Sequence, residues 1–145
     1  MLGSTLSACD NNTYVSPISI RLVGKTIEVA VCQSIDAKSV RFTESFSRKG
    51  QPYASPITFF SANGSASLGR GEVIVAGAVI SGMKIANYSQ PALHRDDIIE
   101  VYVDGQNGAN DMHTLFGPLN KYPVSATSWL WIDGRSGRAT CPPSE

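Results

Sequence analysis

Apolar and polar residues alternate with a period of two along most of the chain, in short runs closed by glycine, proline or Asx residues, and this pattern predicts strands. The clearest pair is Ile18–Val23 and Thr26–Val31, separated only by Gly24-Lys25. A glycine at the first of two loop positions suits a type II′ hairpin turn. That turn sets the register. Ile18 falls opposite Val31, Ile20 opposite Val29 and Leu22 opposite Ile27 on one face, while Arg21 meets Glu28 on the other as an opposite-charge pair. Cys32 shares the parity of Glu28 and Ala30, so it belongs to the less apolar face.

Further strands are expected over residues 39–47, 57–60, 72–80, 83–88, 97–104 and 128–132, with a last one near 138–141. In the first of these, Val40, Phe42 and Phe46 share a face on which Glu44 is the exception. The strand at 57–60 is expected to end before an Asn63-Gly64 turn. Residues 72–80 are apolar on both faces, as in a central strand, and are expected to pair with 83–88 across Ser81-Gly82. Ile99, Val101 and Val103 alternate inward, Asp104-Gly105 closes that strand, and Asp133-Gly134 marks another turn. Residues 105–111 read as a surface loop. No segment carries a capped helical period. The prediction is an all-β protein, an antiparallel β-sandwich of about eight strands.

Composition narrows the function classes. At 145 residues the chain predicts one domain, and 42% hydrophobic residues suffice for a packed core. The formal net charge is zero, so no long-range field draws nucleic acid toward it, and no nucleic-acid partner is expected. No apolar run approaches the roughly 18 residues of a spanning helix. Membrane attachment, if present, must come from something else.

Leu6-Ser7-Ala8-Cys9 resembles the bacterial lipobox, in which small residues precede a cysteine that is lipidated and becomes the mature N-terminus. The resemblance implies a lipoprotein: Cys9 carries the lipid, the membrane is reached through that anchor, and the protein is extracytoplasmic, in the cell envelope. Residues 1–16 then divide into a signal-peptide remnant and a polar tether, and residues 17–145 form the domain. A signal peptide also needs a basic region and an apolar region. Eight residues cannot hold both, so the expectation is that either the reading frame begins upstream or the chain has been trimmed. The stretch from Leu93 to Val101, Leu-His-Arg-Asp-Asp-Ile-Ile-Glu-Val, is similar to the L-x-x-x-D-x-I-x-V corner of immunoglobulin-like extracellular domains, which implies an immunoglobulin-like sandwich of no particular family.

With Cys9 assigned to lipid, Cys32 and Cys141 remain as an even pair, and an oxidising compartment favours a disulfide between them. Two unrelated buried thiols are the alternative. A bridge would close most of the domain, a contribution of roughly 4–5 kcal/mol in the loop-entropy account. By the parity of Cys32 it would pin the C-terminal tail outside the sheet.

The chain has no G-x-S-x-G, S-x-x-K or H-E-x-x-H motif. His94 and His113 lie in different segments and read as surface histidines. Asp104, Asn107, Asn110 and Asp111 lack the spacing of a calcium loop and read as a turn. The chain is therefore expected to be no enzyme, with neither metal nor cofactor. Trp129 and Trp131, at i and i+2, project from one face of a strand. Packing in a central strand is one reading. In the other, the two indoles form an open stacking platform, with Asp133 accepting hydrogen bonds beside it, as in sugar-binding sandwiches. The expected function is a non-catalytic binding domain for a protein or glycan ligand; the alternative is a carbohydrate-binding module that uses Trp129, Trp131 and Asp133.

Overall fold

The first hairpin forms as its turn dictates. Strands β1 (Ile18–Val23) and β2 (Thr26–Val31) pair antiparallel in the expected register, from Ile18 opposite Val31 to Val23 opposite Thr26. Gly24 supplies the positive φ, +65°, that the turn requires. The Arg21 guanidinium donates to the Glu28 carboxylate at 2.8 Å. The computed structural model describes residues 17–45, 56–94, 96–108, 110–119, 126–131 and 135–142. Cys9 and the expected tether lie outside the described residues, as do Phe46, Ile132, Asp133 and Gly134.

Eight further strands follow among the described residues: β3 (Ile35–Ser45), β4 (Ile57–Leu68), β5 (Val73–Val75), β6 (Met83–Tyr88), β7 (Ile98–Gly105), β8 (Met112–Phe116), β9 (Trp129–Trp131) and β10 (Ser136–Gly137). They form two antiparallel five-stranded sheets, β10-β9-β1-β2-β5 and β6-β4-β3-β7-β8. The inner faces pack together as a sandwich, with Ile18, Ile20, Val29, Ile74 and Leu130 from the first sheet meeting Val40, Phe42, Phe60, Val101 and Val103 from the second. The all-β antiparallel sandwich is therefore as expected, with ten strands rather than eight.

The last strand lies at Ser136–Gly137 rather than near 138–141, and three further local expectations fail, each for a physical reason. Asn63-Gly64 is not a turn, because β4 runs straight through it. Gly64 serves close approach instead: a β-carbon there would collide with the Gly82 carbonyl, in the turn just before β6. Residues 72–80 are not a central strand. Only Val73–Val75 is extended, at a sheet edge, where Val73 and Val79 stay exposed. Nor does 83–88 pair with that segment. Strand β6 pairs with β4 in the other sheet, so the chain crosses between sheets at residues 76–82.

A β-bulge explains the end of the sandwich nearest Glu44. Phe42 lies opposite Phe60 and Thr43 opposite Thr58, which leaves Phe59 as the extra residue. Phe59 and Phe60 are both buried, with ring centroids 6.0 and 5.2 Å from Phe42. Glu44 is carried to a buried position at the same end.

Candidate functional site

Cys32 and Cys141 form a disulfide with Cα atoms 5.6 Å apart. It lies on the outer face of the first sheet, as the parity of Cys32 requires. From β10 the chain crosses this face as a strap. Ser19 Oγ donates to the Thr140 carbonyl. Arg70 donates to the carbonyls of Cys32 and Pro142, at 2.9 and 2.8 Å, and so ties both sides of the bridge together.

Trp129 and Trp131 lie on this same outer face, yet they are 3% and 7% exposed. With Ala30 they form a second small core, separate from the main one. The Arg21 guanidinium covers Trp129 at 4.5 Å from the ring centroid, Arg135 sits over Trp131 at 5.5 Å, and Gly137 lies against the Trp131 ring. The open stacking platform is thus corrected. The indoles do share one face of a strand, but flanking arginines and the strap cover them, and Asp133 lies outside the described residues.

The outer face of the second sheet is different. Arg41 on β3, Tyr102 on β7 and His113 on β8 are direct cross-strand neighbours and form one row across the sheet. The guanidinium of Arg41 lies 4.1 Å from the centroid of the Tyr102 ring. The His113 ring stacks on Tyr102 with centroids 4.1 Å apart and planes inclined by 14°. Glu100 locks the row from one side, accepting from the Tyr102 hydroxyl at 3.0 Å and meeting His113 Nε2 at 2.9 Å. Burial, and then the hydrogen bond to Glu100, push the Tyr102 phenol above its usual value. The Arg41 guanidinium has no hydrogen-bond acceptor or carboxylate partner among the described residues. Its orientation is nevertheless fixed by the ring beneath it.

The two histidines part company here. His113 is half-exposed in this row, and His94 stands in the turn before β7, beside the buried carboxyl of Asp97. The Asp104 carboxylate accepts from Ser39, and that of Asp111 caps the Gly105 amide, so each already has a partner within the fold. No group of three or more metal-ligating side chains converges among the described residues. A shallow cleft of about 300 Å³ lies near Ser34, Asp36, Ser67 and Asn110, and the Asp36 carboxylate there is engaged by Ser67 at 2.8 Å.

The alternation around Ile99, Val101 and Val103 already implies that Glu100 and Tyr102 face outward. The row itself is not legible in sequence. His113 sits in a strand that the pattern leaves unmarked, and Arg41 is brought beside Tyr102 by pairing between distant segments. Comparison with known proteins finds no matching family model, no matching curated protein and no matching solved structure.

Proposed function

We propose that this domain is a non-catalytic binding module of the bacterial cell envelope, anchored by lipid on Cys9, and that it docks an acidic segment of a partner protein on the outer face of its second sheet. One observation carries the docking face: the Arg41–Tyr102–His113 row, accessible to solvent and held rigid by Glu100. A guanidinium oriented by stacking, with no acceptor for its donors among the described residues, is preorganised for bidentate contact with a carboxylate. The neighbouring imidazole adds a second donor. The envelope compartment is supported by the lipobox-like Leu6-Ser7-Ala8-Cys9 and by the disulfide.

The docking face is tested by a photo-crosslinking residue placed at position 113, with position 25 in the first hairpin as control, in cells expressing the full-length precursor. A discrete adduct from position 113 alone, lost on Arg41→Ala, is the expected result. Equal adducts from both positions, or an adduct indifferent to Arg41, would count against it. An envelope-polysaccharide array read with the same variants covers the sugar alternative, and glycan binding lost on Trp129→Ala at unchanged stability would favour that reading. The anchor is tested separately, by incorporation of labelled fatty acid that disappears on Cys9→Ala.

A further inference from the structure

The row of Arg41, Tyr102 and His113 does not end at Arg41. Ser61 on β4 lies directly opposite Arg41, and Asn87 on β6 lies directly opposite Ser61. Opposed residues of an antiparallel pair share a face. The neighbours of Ser61 along the strand, Phe60 and Ala62, are fully buried, so Ser61 and Asn87 stand on the outer face with Arg41. The row is therefore Asn87–Ser61–Arg41–Tyr102–His113, one residue from each of the five strands of this sheet. Four interstrand spacings of about 4.8 Å make it about 19 Å long. Both ends are pinned. The Asn87 side-chain amide donates to the Thr58 carbonyl at 3.0 Å, and His113 Nε2 meets Glu100 at 2.9 Å.

Charge divides this face into unlike halves. Positive charge lies on β3 and β6, as Arg41 and the exposed Lys84, which sits one row away, opposite Asn63. Negative charge lies on β7, as Glu100 and Asp104, two residues to either side of Tyr102. A carboxylate set down beyond Tyr102 would meet these like charges, which costs free energy and works as a filter against it. The β8 end is apolar instead. Leu115 is 47% exposed there and is two residues along the strand from His113, on the same face.

We infer that, given the docking face proposed above, the acidic segment crosses the strands along this row in extended form. Its carboxylates lie on the half between Lys84 and Arg41, and an uncharged apolar or aromatic residue packs against His113 and Leu115. At about 3.3 Å per residue, a row of about 19 Å holds about six residues. The central position of Arg41 leaves chain on both sides of the bound carboxylate, so an internal segment fits and a terminal carboxylate does not use the whole row.

Photo-crosslinking residues at positions 87 and 113, one at each edge of the sheet, test the direction in cells expressing the full-length precursor. Adducts are digested and the captured partner residues mapped by mass spectrometry. Both positions are expected to capture one segment of one partner, at residues about five or six apart, with the acidic residues nearer the one captured from position 87. Arg41→Ala should lower both yields about tenfold or more. Arg41→Glu should do the same, and arginine in place of the mapped acidic residue should restore both adducts. Capture from position 113 without position 87 would mean that the segment follows β8; it would overturn the inference and leave the docking face standing. Acidic residues mapped to the His113 side, or an adduct that carries sugar and no peptide, would also overturn it. An absent or Arg41-independent adduct at position 113 would remove the docking face and the inference together. The mapped spacing is read in the parent and does not depend on any Arg41 variant folding.

Discussion

The Trp131 ring lies against Gly137 so closely that a β-carbon there would sit 2.6 Å from Cη2 and 2.7 Å from Cζ2. Glycine is required at this position because the strap crosses the indole at van der Waals distance. Gly137→Ala is expected to cost about 1–3 kcal/mol, the usual penalty for overpacking a filled site. Urea denaturation at constant m-value measures it, and an unchanged midpoint would contradict the contact.

Burial of the two indoles makes them structural. Trp129→Ala and Trp131→Ala are each expected to lose about 3–5 kcal/mol, a large share of an ordinary domain's stability. Trp131 Nε1 is buried without an acceptor among the described residues. Trp131→Phe removes that orphan donor and should recover a good part of the loss. Both effects read out as shifts in the denaturation midpoint. Two alanine variants as stable as the parent would mean that the rings face water.

The disulfide spans 109 residues of sequence. Replacing both cysteines by alanine is expected to cost up to about 4–5 kcal/mol by the loop-entropy account. It should also free the strap, so Trp fluorescence in the native baseline should shift toward that of exposed indole. Thiol titration of the oxidised native protein should find neither Cys32 nor Cys141 reactive.

Stability should fall as pH rises toward neutrality. The folded state holds the Asp97 proton up to about 7, whereas the unfolded chain releases it near 3.8. Between these values the native state binds more protons than the unfolded state, so its stability declines with rising pH and levels off above. The contribution is complete below the unfolded value and lost through the folded one. Asp97→Asn should flatten this slope in a series of denaturation curves. A parent whose stability rises across the window would contradict the assignment.

The first hairpin was fully legible because turn chemistry, alternation and a charge pair all agree on one register. So was the inward set Ile99, Val101 and Val103. Residues 72–80 misled because an unbroken apolar run looks alike whether it is a central strand or an edge followed by a crossover; Gly77, at φ +86°, breaks it. Asn63-Gly64 misled because a glycine needed for a neighbouring backbone is indistinguishable, in sequence, from one needed for a turn. The Trp pair was ambiguous between core and platform, since nothing local shows that a distant strap returns to cover it. Glu44, the one polar residue on an apolar face, was the visible trace of a buried carboxyl that accepts the amides of Ala92 and Leu93. Asp97 stood in the corner motif, but only the fold shows that its side chain is buried and accepts the His94 amide.

Cys32 is also the point where the two ends of the domain meet. Its amide donates to the Pro17 carbonyl at 2.6 Å, and its sulfur is bonded to Cys141. A pull applied at residues 17 and 142 therefore follows a covalent path through the first hairpin and across the disulfide, bypassing residues 33–140. Under tension the oxidised domain can only unzip β1 from β2, and it lengthens by no more than about 50 Å. The second sheet, with its exposed row of Arg41, Tyr102 and His113, lies off that covalent path and bears no direct load.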